Sequence, residues 1–190
     1  TLDLADSVVT EMRQEPLSGN ICGGTAILIG AGDVNSYAQS GGLGVTDATE
    51  GHANIDNVLV KNFQVNGIVV DGTGNDATVT NNIITSEFDS ADVFADLTGI
   101  LATSGATVTA TDNTISNLHS VGEFSVGIIN GFTYCNSQDN PCTNLLDVRA
   151  GSGSVISSNT IQDNDVGILS DVVDGGSATF NFNKIFDNVL

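Results

Sequence analysis

Carboxylates dominate the chemistry open to this chain of 190 residues, in which 23 Asp and Glu stand against four Lys and Arg and two His. Two carboxylates close together can serve as general acid and base, or as acid and nucleophile, at a sugar bond. Three pairs have the spacing for it: Asp163 with Asp165, Asp89 with Asp92, and Asp171 with Asp174. All sit among turn-forming residues, where Asp is common because its side chain bonds nearby backbone. The reading they favour is therefore solvated turn carboxylates, and no residue is assigned a catalytic role. Of the cations, Arg149 is the one candidate base. Lys61 and Lys184 fall at different offsets in the repeat described below and would not cluster.

Oxygen donors also gather in Asp71-Gly-Thr-Gly-Asn-Asp76, a Gly-rich turn in which Asp71, Asn75 and Asp76 are weak candidates for calcium. Otherwise no metal and no cofactor is expected. The cysteines are Cys22, Cys135 and Cys142. Cys135 and Cys142 flank a polar, turn-forming loop and favour a small disulfide-closed loop, which would place the protein outside the cell or on its surface. Free thiols are the rival reading. Zinc lacks nearby ligands, since His52 and His119 are distant in sequence.

The formal charge is −19. Nucleic acid is excluded as a partner, because neutralising phosphates takes Lys and Arg. Polyanionic sugars are disfavoured unless calcium bridges the like charges. No apolar run reaches the roughly 18 residues that cross a bilayer, so membrane insertion is not expected. The N-terminal Thr1-Leu-Asp-Leu4 has no basic region of a signal peptide.

The elements that must position these groups emerge when the chain is aligned on Asn. An Asn-x-aliphatic step recurs at Asn57, Asn82, Asn113, Asn159 and Asn183, with a degenerate copy at Asp6-Ser-Val8. A second Asn often follows five residues on, at Asn62, Asn164 and Asn188, with Asn117 one residue early. Each step leads to a Gly-Ile pair opening a strand, at Gly67, Gly99, Gly127 and Gly167. The Asn anchors lie 25, 31, 46 and 24 residues apart, and 51 residues separate Asp6 from Asn57. The short intervals fit one coil of three strands and three turns; the long ones fit the same coil with an inserted loop. The 51-residue stretch is one very long coil or two poorly marked ones.

This pattern predicts an all-β right-handed parallel β-helix of about six coils, a single domain over residues 1–190. Leu59, Ile84, Ile115, Ile161 and Ile185 are expected in one interior column, and Val79, Ala110, Ile156 and Phe180 in another. Asn57, Asn82, Asn113, Asn159 and Asn183 are expected to form a structural ladder at a tight bend, where Asn tolerates a left-handed backbone and bonds the copies on either side. Residues 1–8 read as mid-coil and Asn183–Leu190 stops before a Gly-Ile strand. Both ends are thus expected to be uncapped, with the chain part of a longer solenoid or stacked end to end. Helices are disfavoured because no window keeps the helical apolar period.

The runs from Asn66 to Ile84 and from Thr98 to Ile115 resemble the repeats of the right-handed parallel β-helix proteins of the pectin-lyase-like superfamily. The resemblance covers most of the chain from about Cys22. It implies fold more than function, since that architecture hosts lyases, hydrolases, epimerases, adhesins and structural proteins. The polygalacturonase-like motifs Asn-Thr-Asp, Asp-Asp, Gly-His-Gly and Arg-x-Lys are absent, and Glu50-Gly-His-Ala53 half resembles the third. The epimerase-like Asp-Pro-His is absent too. The expectation is a non-catalytic extracellular solenoid, a structural, adhesive or surface-display segment, contacting partners through loops 9–24, 85–98 and 131–153. A polysaccharide or cell-surface glycan, or further copies of the chain, are the expected partners. The alternatives are a polysaccharide lyase or hydrolase whose catalytic coils lie outside this segment, and a filament subunit stacking end to end.

Overall fold

The structure is a computed structural model that describes residues 1–12, 24–30, 43–45, 50–86, 97–119, 125–135, 145–148, 150–172 and 176–189. Short strands recur in threes because Gly, Asn and Asp break the chain every few residues, while Val, Ile and Thr fill the intervals. None of these strands buries much alone; stacked in parallel, they close a tube.

Three six-stranded sheets result. The first contains Leu2–Ala5, His52–Asp56, Asp76–Thr80, Thr107–Thr111, Ser154–Ser157 and Ala178–Asn181. The second contains Val8–Met12, Leu59–Phe63, Ile83–Thr85, Thr114–Leu118, Thr160–Asn164 and Lys184–Phe186. The third contains Ile27–Gly30, Asn66–Asp71, Thr98–Thr103, Val126–Asn130 and Val166–Ser170, with Leu43–Val45 added outside Ile27–Gly30. All pairing within these sheets is parallel. The fold is therefore a right-handed parallel β-helix of about six coils, as the repeat predicts.

The long first interval is a single coil, because Leu2–Ala5 pairs directly with His52–Asp56. Its extra length includes Leu43–Val45, which doubles back to the edge of the third sheet at the N-terminal coil. Leu43–Val45 is thereby the outermost strand of that sheet. The insertion at 131–153 holds an antiparallel ribbon of Phe132–Cys135 with Leu145–Val148.

The register corrects one alignment. Leu59 pairs with Ile83, and Val60 pairs with Ile84. The interior column is therefore Val9, Val60, Ile84, Ile115, Ile161 and Ile185, and Leu59 points outward. The other expected column is in register and gains Ile55 ahead of Val79. Ile55, Val60, Ile84, Ile115, Ile156 and Ile161 are all fully buried. Each contributes about 1.5–3 kcal/mol through removal of its side chain from water.

The Gly that opens each third-sheet strand has a steric cause. A Cβ on Gly99 would lie 2.5 Å from the Gly127 carbonyl oxygen and 2.8 Å from Ile115 Cγ2. A Cβ on Gly67, Gly127 or Gly167 would likewise crowd the Ile of the next coil, Ile84, Ile161 and Ile185 in turn.

Candidate functional site

The corner between the first and second sheets is uniform from coil to coil. A residue with positive φ is followed by one that points inward, and then the second-sheet strand begins. The positive-φ residues are Asp6, Asn57, Asn81, Asp112, Ser158 and Phe182. The inward residues are Ser7, Val58, Asn82, Asn113, Asn159 and Asn183. Four of these form a buried chain. Asn82 Nδ2 donates to Asn113 Oδ1 at 2.9 Å, Asn113 Nδ2 to Asn159 Oδ1 at 2.9 Å, and Asn159 Nδ2 to Asn183 Oδ1 at 3.0 Å. Each Nδ2 also donates to a backbone carbonyl: Ile55, Val79, Ala110 and Ile156 in turn. Each Oδ1 also accepts a backbone N–H of the preceding coil, from Val58, Asn82, Asn113 and Asn159. The amides thus satisfy main-chain groups that the bend would otherwise leave unpaired inside the tube.

Asn57 is not among them. Its φ of 54° and its exposure place it one step earlier, stacked on Asp6 and Asn81. Its Nδ2 donates to Asp6 Oδ1 at 2.6 Å. Val58 holds the inward position in that coil and has no side-chain amide to offer. The left-handed conformation also belongs to the residue before each ladder Asn, not to the ladder Asn itself. A shorter ladder lies at the far end of the second sheet. Asn164 Oδ1 accepts from Leu118 N–H, and Asn188 Oδ1 from Asn164 N–H, both at 3.1 Å.

The remaining candidates are dispersed. Asn75 is buried, with its Oδ1 committed to Gly51 N–H at 2.6 Å and its Nδ2 to the Asp71 carbonyl at 2.5 Å. Its oxygen therefore braces the turn and is not offered to an ion. Asp76 faces the other way, outward, where both carboxylate oxygens meet His52 Nδ1, at 2.5 and 3.0 Å. Among the described residues no three His, Cys, Asp or Glu side chains are grouped to hold a metal ion.

Asp163 and Asp165 take different partners. Asp163 accepts from Gln162 Nε2 at 3.1 Å. Asp165 Oδ2 accepts from Ser125 N–H at 2.9 Å, and its Oδ1 lies 3.6 Å from His119 Nδ1. One carboxylate thereby meets both His119 and Ser125, which are distant from Asp165 in sequence. No sequence signal marked this meeting. Asp89, Asp92, Asp174, Arg149, Cys22 and Cys142 lie outside the described residues, as does most of each expected contact loop. Cys135 ends a ribbon strand.

Two features distinguish the third sheet. First, every long connection leaves or enters it. In chain order, residues 13–26, 86–97 and 119–125 precede its strands, 31–42 and 171–177 follow them, and the stretch 131–153 that contains the ribbon follows Val126–Asn130. The corner between the first two sheets carries no insertion in any coil. Second, its outer face is apolar and buried. Ile68, Val70, Ile100 and Ile128 face the tube interior, while Leu28, Val69, Leu101, Val126 and Ile129 form a separate cluster on the opposite side. The consecutive aliphatics of Ile68-Val-Val70 and Ile128-Ile129 are the sequence signal, because a strand buried on both faces loses its alternation. The outer face of the first sheet is polar by contrast, with His52, Asn54 and Thr78 exposed.

A tube of stacked parallel strands is the architecture of the right handed beta helix region, whose family pattern matches residues 41–189. The chain belongs to that family. Neither the curated proteins nor the solved structures include a match to it. As a right-handed beta helix of pectin-lyase-like fold, it has a scaffold whose repeats set the coil. No helix among the described residues is long and apolar enough to cross a membrane.

Proposed function

We propose that this right-handed beta helix is an extracellular or cell-surface scaffold that presents the connections flanking its third sheet to a polysaccharide or cell-surface glycan, holding it without cleaving it. The observation that carries this reading is that, in chain order, the longer connections border the strands of the third sheet, whose outer face is apolar. Variable connections on a rigid tube are where recognition resides, because the tube fixes their ends while their residues can change. The family is consistent with a carbohydrate partner. The acidic surface favours a neutral glycan over a uronate polymer. The surroundings of the described carboxylates support holding over turnover: Asp163, Asp165 and Asp76 each have a structural partner.

The test is incubation of the protein with neutral and uronate polysaccharides, with and without calcium. Retention of a neutral glycan with no released sugar is the expected result. Release of products, lost on Asp165→Asn, would instead make the chain a lyase or hydrolase. Counting free thiols in protein taken directly from its source checks the location. One thiol per chain is expected if Cys135 and Cys142 are joined, and three would argue against an oxidising compartment.

A further inference from the structure

We propose that the outer corner between the first and second sheets, in the first three coils, docks a cationic segment of another polypeptide. A Lys or Arg side chain would lay its stem on an aliphatic floor and bring its charged end to Asp6. This site is separate from the third sheet and does not depend on the reading given for it.

A cavity of about 290 Å³ opens at this corner, between the positive-φ residues Asp6, Asn57 and Asn81 and the outward residues Val8, Leu59 and Ile83. Val8, Leu59 and Ile83 stack in register, one per coil, about 4.8 Å apart. Val8 is 61% exposed and Ile83 52%, so the floor faces solvent. The strand does not require aliphatic residues there. The same column continues as Thr114, Thr160 and Lys184 in the later coils. The floor is apolar only where the cavity lies.

The wall is acidic and held in place. Asn57 Nδ2 donates to Asp6 Oδ1, which fixes the orientation of that carboxylate. Behind it, Asp56 Oδ1 accepts from Thr80 Oγ1 at 2.8 Å and from Asn81 Nδ2 at 2.9 Å. Those bonds, that from Asn81 first, hold the Asp56 carboxyl below its ordinary range and keep it charged. Asp112 is the next residue along the positive-φ column. Against these three carboxylates stands Lys61, on the neighbouring outward column with Thr10 and Thr85. The local balance is negative, so a cation is drawn in and an acidic chain repelled. Lys and Arg suit the remainder, because their stems cover apolar surface while their heads stay at a polar edge.

The experiment follows the methyl groups of Val8, Leu59 and Ile83 by NMR in the full chain. Three probes are added in turn: a blocked peptide of alternating Leu and Lys, its Leu and Glu counterpart, and a neutral hexose oligomer. The Lys peptide should shift these three methyls saturably, and about 0.5 M NaCl should weaken the effect by screening. Two variants retain the fold by design. Asp6→Asn keeps an acceptor for Asn57, and Ile83→Thr copies Thr114 one coil later. Each should weaken binding of the Lys peptide about 5–10-fold, equivalent to about 1 kcal/mol. The proposal is overturned if the Glu peptide or the hexose oligomer shifts the same methyls as strongly. It is equally overturned if the Lys peptide acts elsewhere, or if Asp6→Asn binds as the parent does.

Discussion

A single amide does unequal work at Asn113 and Asn57, although both stand in the same sequence pattern. Asn113 accepts from Asn82 N–H and Nδ2 and donates to Asn159 Oδ1 and the Val79 carbonyl, all inside the tube. Asn113→Ala leaves these groups buried without partners, at about 1–3 kcal/mol for each one not rescued by water. Urea denaturation should show a loss of at least about 3 kcal/mol. Asn57→Gly should change stability by less than about 0.5 kcal/mol, because the position is exposed and its φ suits Gly. Equal losses for the two variants would contradict the register. Asp56 supplies a pH dependence with a definite sign. Its folded carboxyl is held below its unfolded value by Asn81 and then Thr80. The stability this adds is present above the unfolded value and is lost as pH falls through the folded one. NMR titration should place its midpoint below that of Asp in an unstructured peptide, and the Asn81→Ala variant should move it back up.

At the scale of the element, coil stacking depends on close approach at the start of each third-sheet strand. Gly99→Ala brings a methyl within 2.5 Å of the Gly127 carbonyl and 2.8 Å of Ile115. The strand must shift, at a cost of about 1–3 kcal/mol, and thermal melting should show it. The opposite change is expected at Phe182. This aromatic residue occupies the positive-φ corner at φ 56° and is 87% exposed. Phe182→Asn removes a conformation that costs a bulky residue about 1 kcal/mol or more, so the melting temperature should rise. Asn, Asp and Ser already fill the same corner in the other coils.

For the whole molecule, a formal charge of −19 spread over 190 residues makes the folded tube repel itself. Salt screens that repulsion, with a Debye length of about 10 Å at 0.1 M and about 3 Å at 1 M. Raising NaCl across that range should therefore raise the melting temperature. A fall would show that self-repulsion is not the dominant electrostatic effect on stability.

The repeat was legible because a parallel coil demands the same residue at the same place each turn. The buried Asn and the Gly-Ile step recur for that reason, and they determined the fold, the coil length and most of the interior columns by themselves. The interval of 25 residues before Asn82 already held the sign of a slip, since the undisturbed coil is 24 residues, as the Thr80–Asp56 bond shows. Two Asn in succession, Asn81 and Asn82, left the choice of anchor open. Only the interstrand register resolved it, because a shift of one residue exchanges the inside and outside of a strand. Sequence likewise could not join Asp165 to His119 and Ser125, nor Asp76 to His52. Those meetings depend on which coils are neighbours after the insertions are looped out. Which sheet the long connections border was decided by tertiary structure for the same reason: a connection's length is written in the chain, but the sheet it joins is set by how the coil closes.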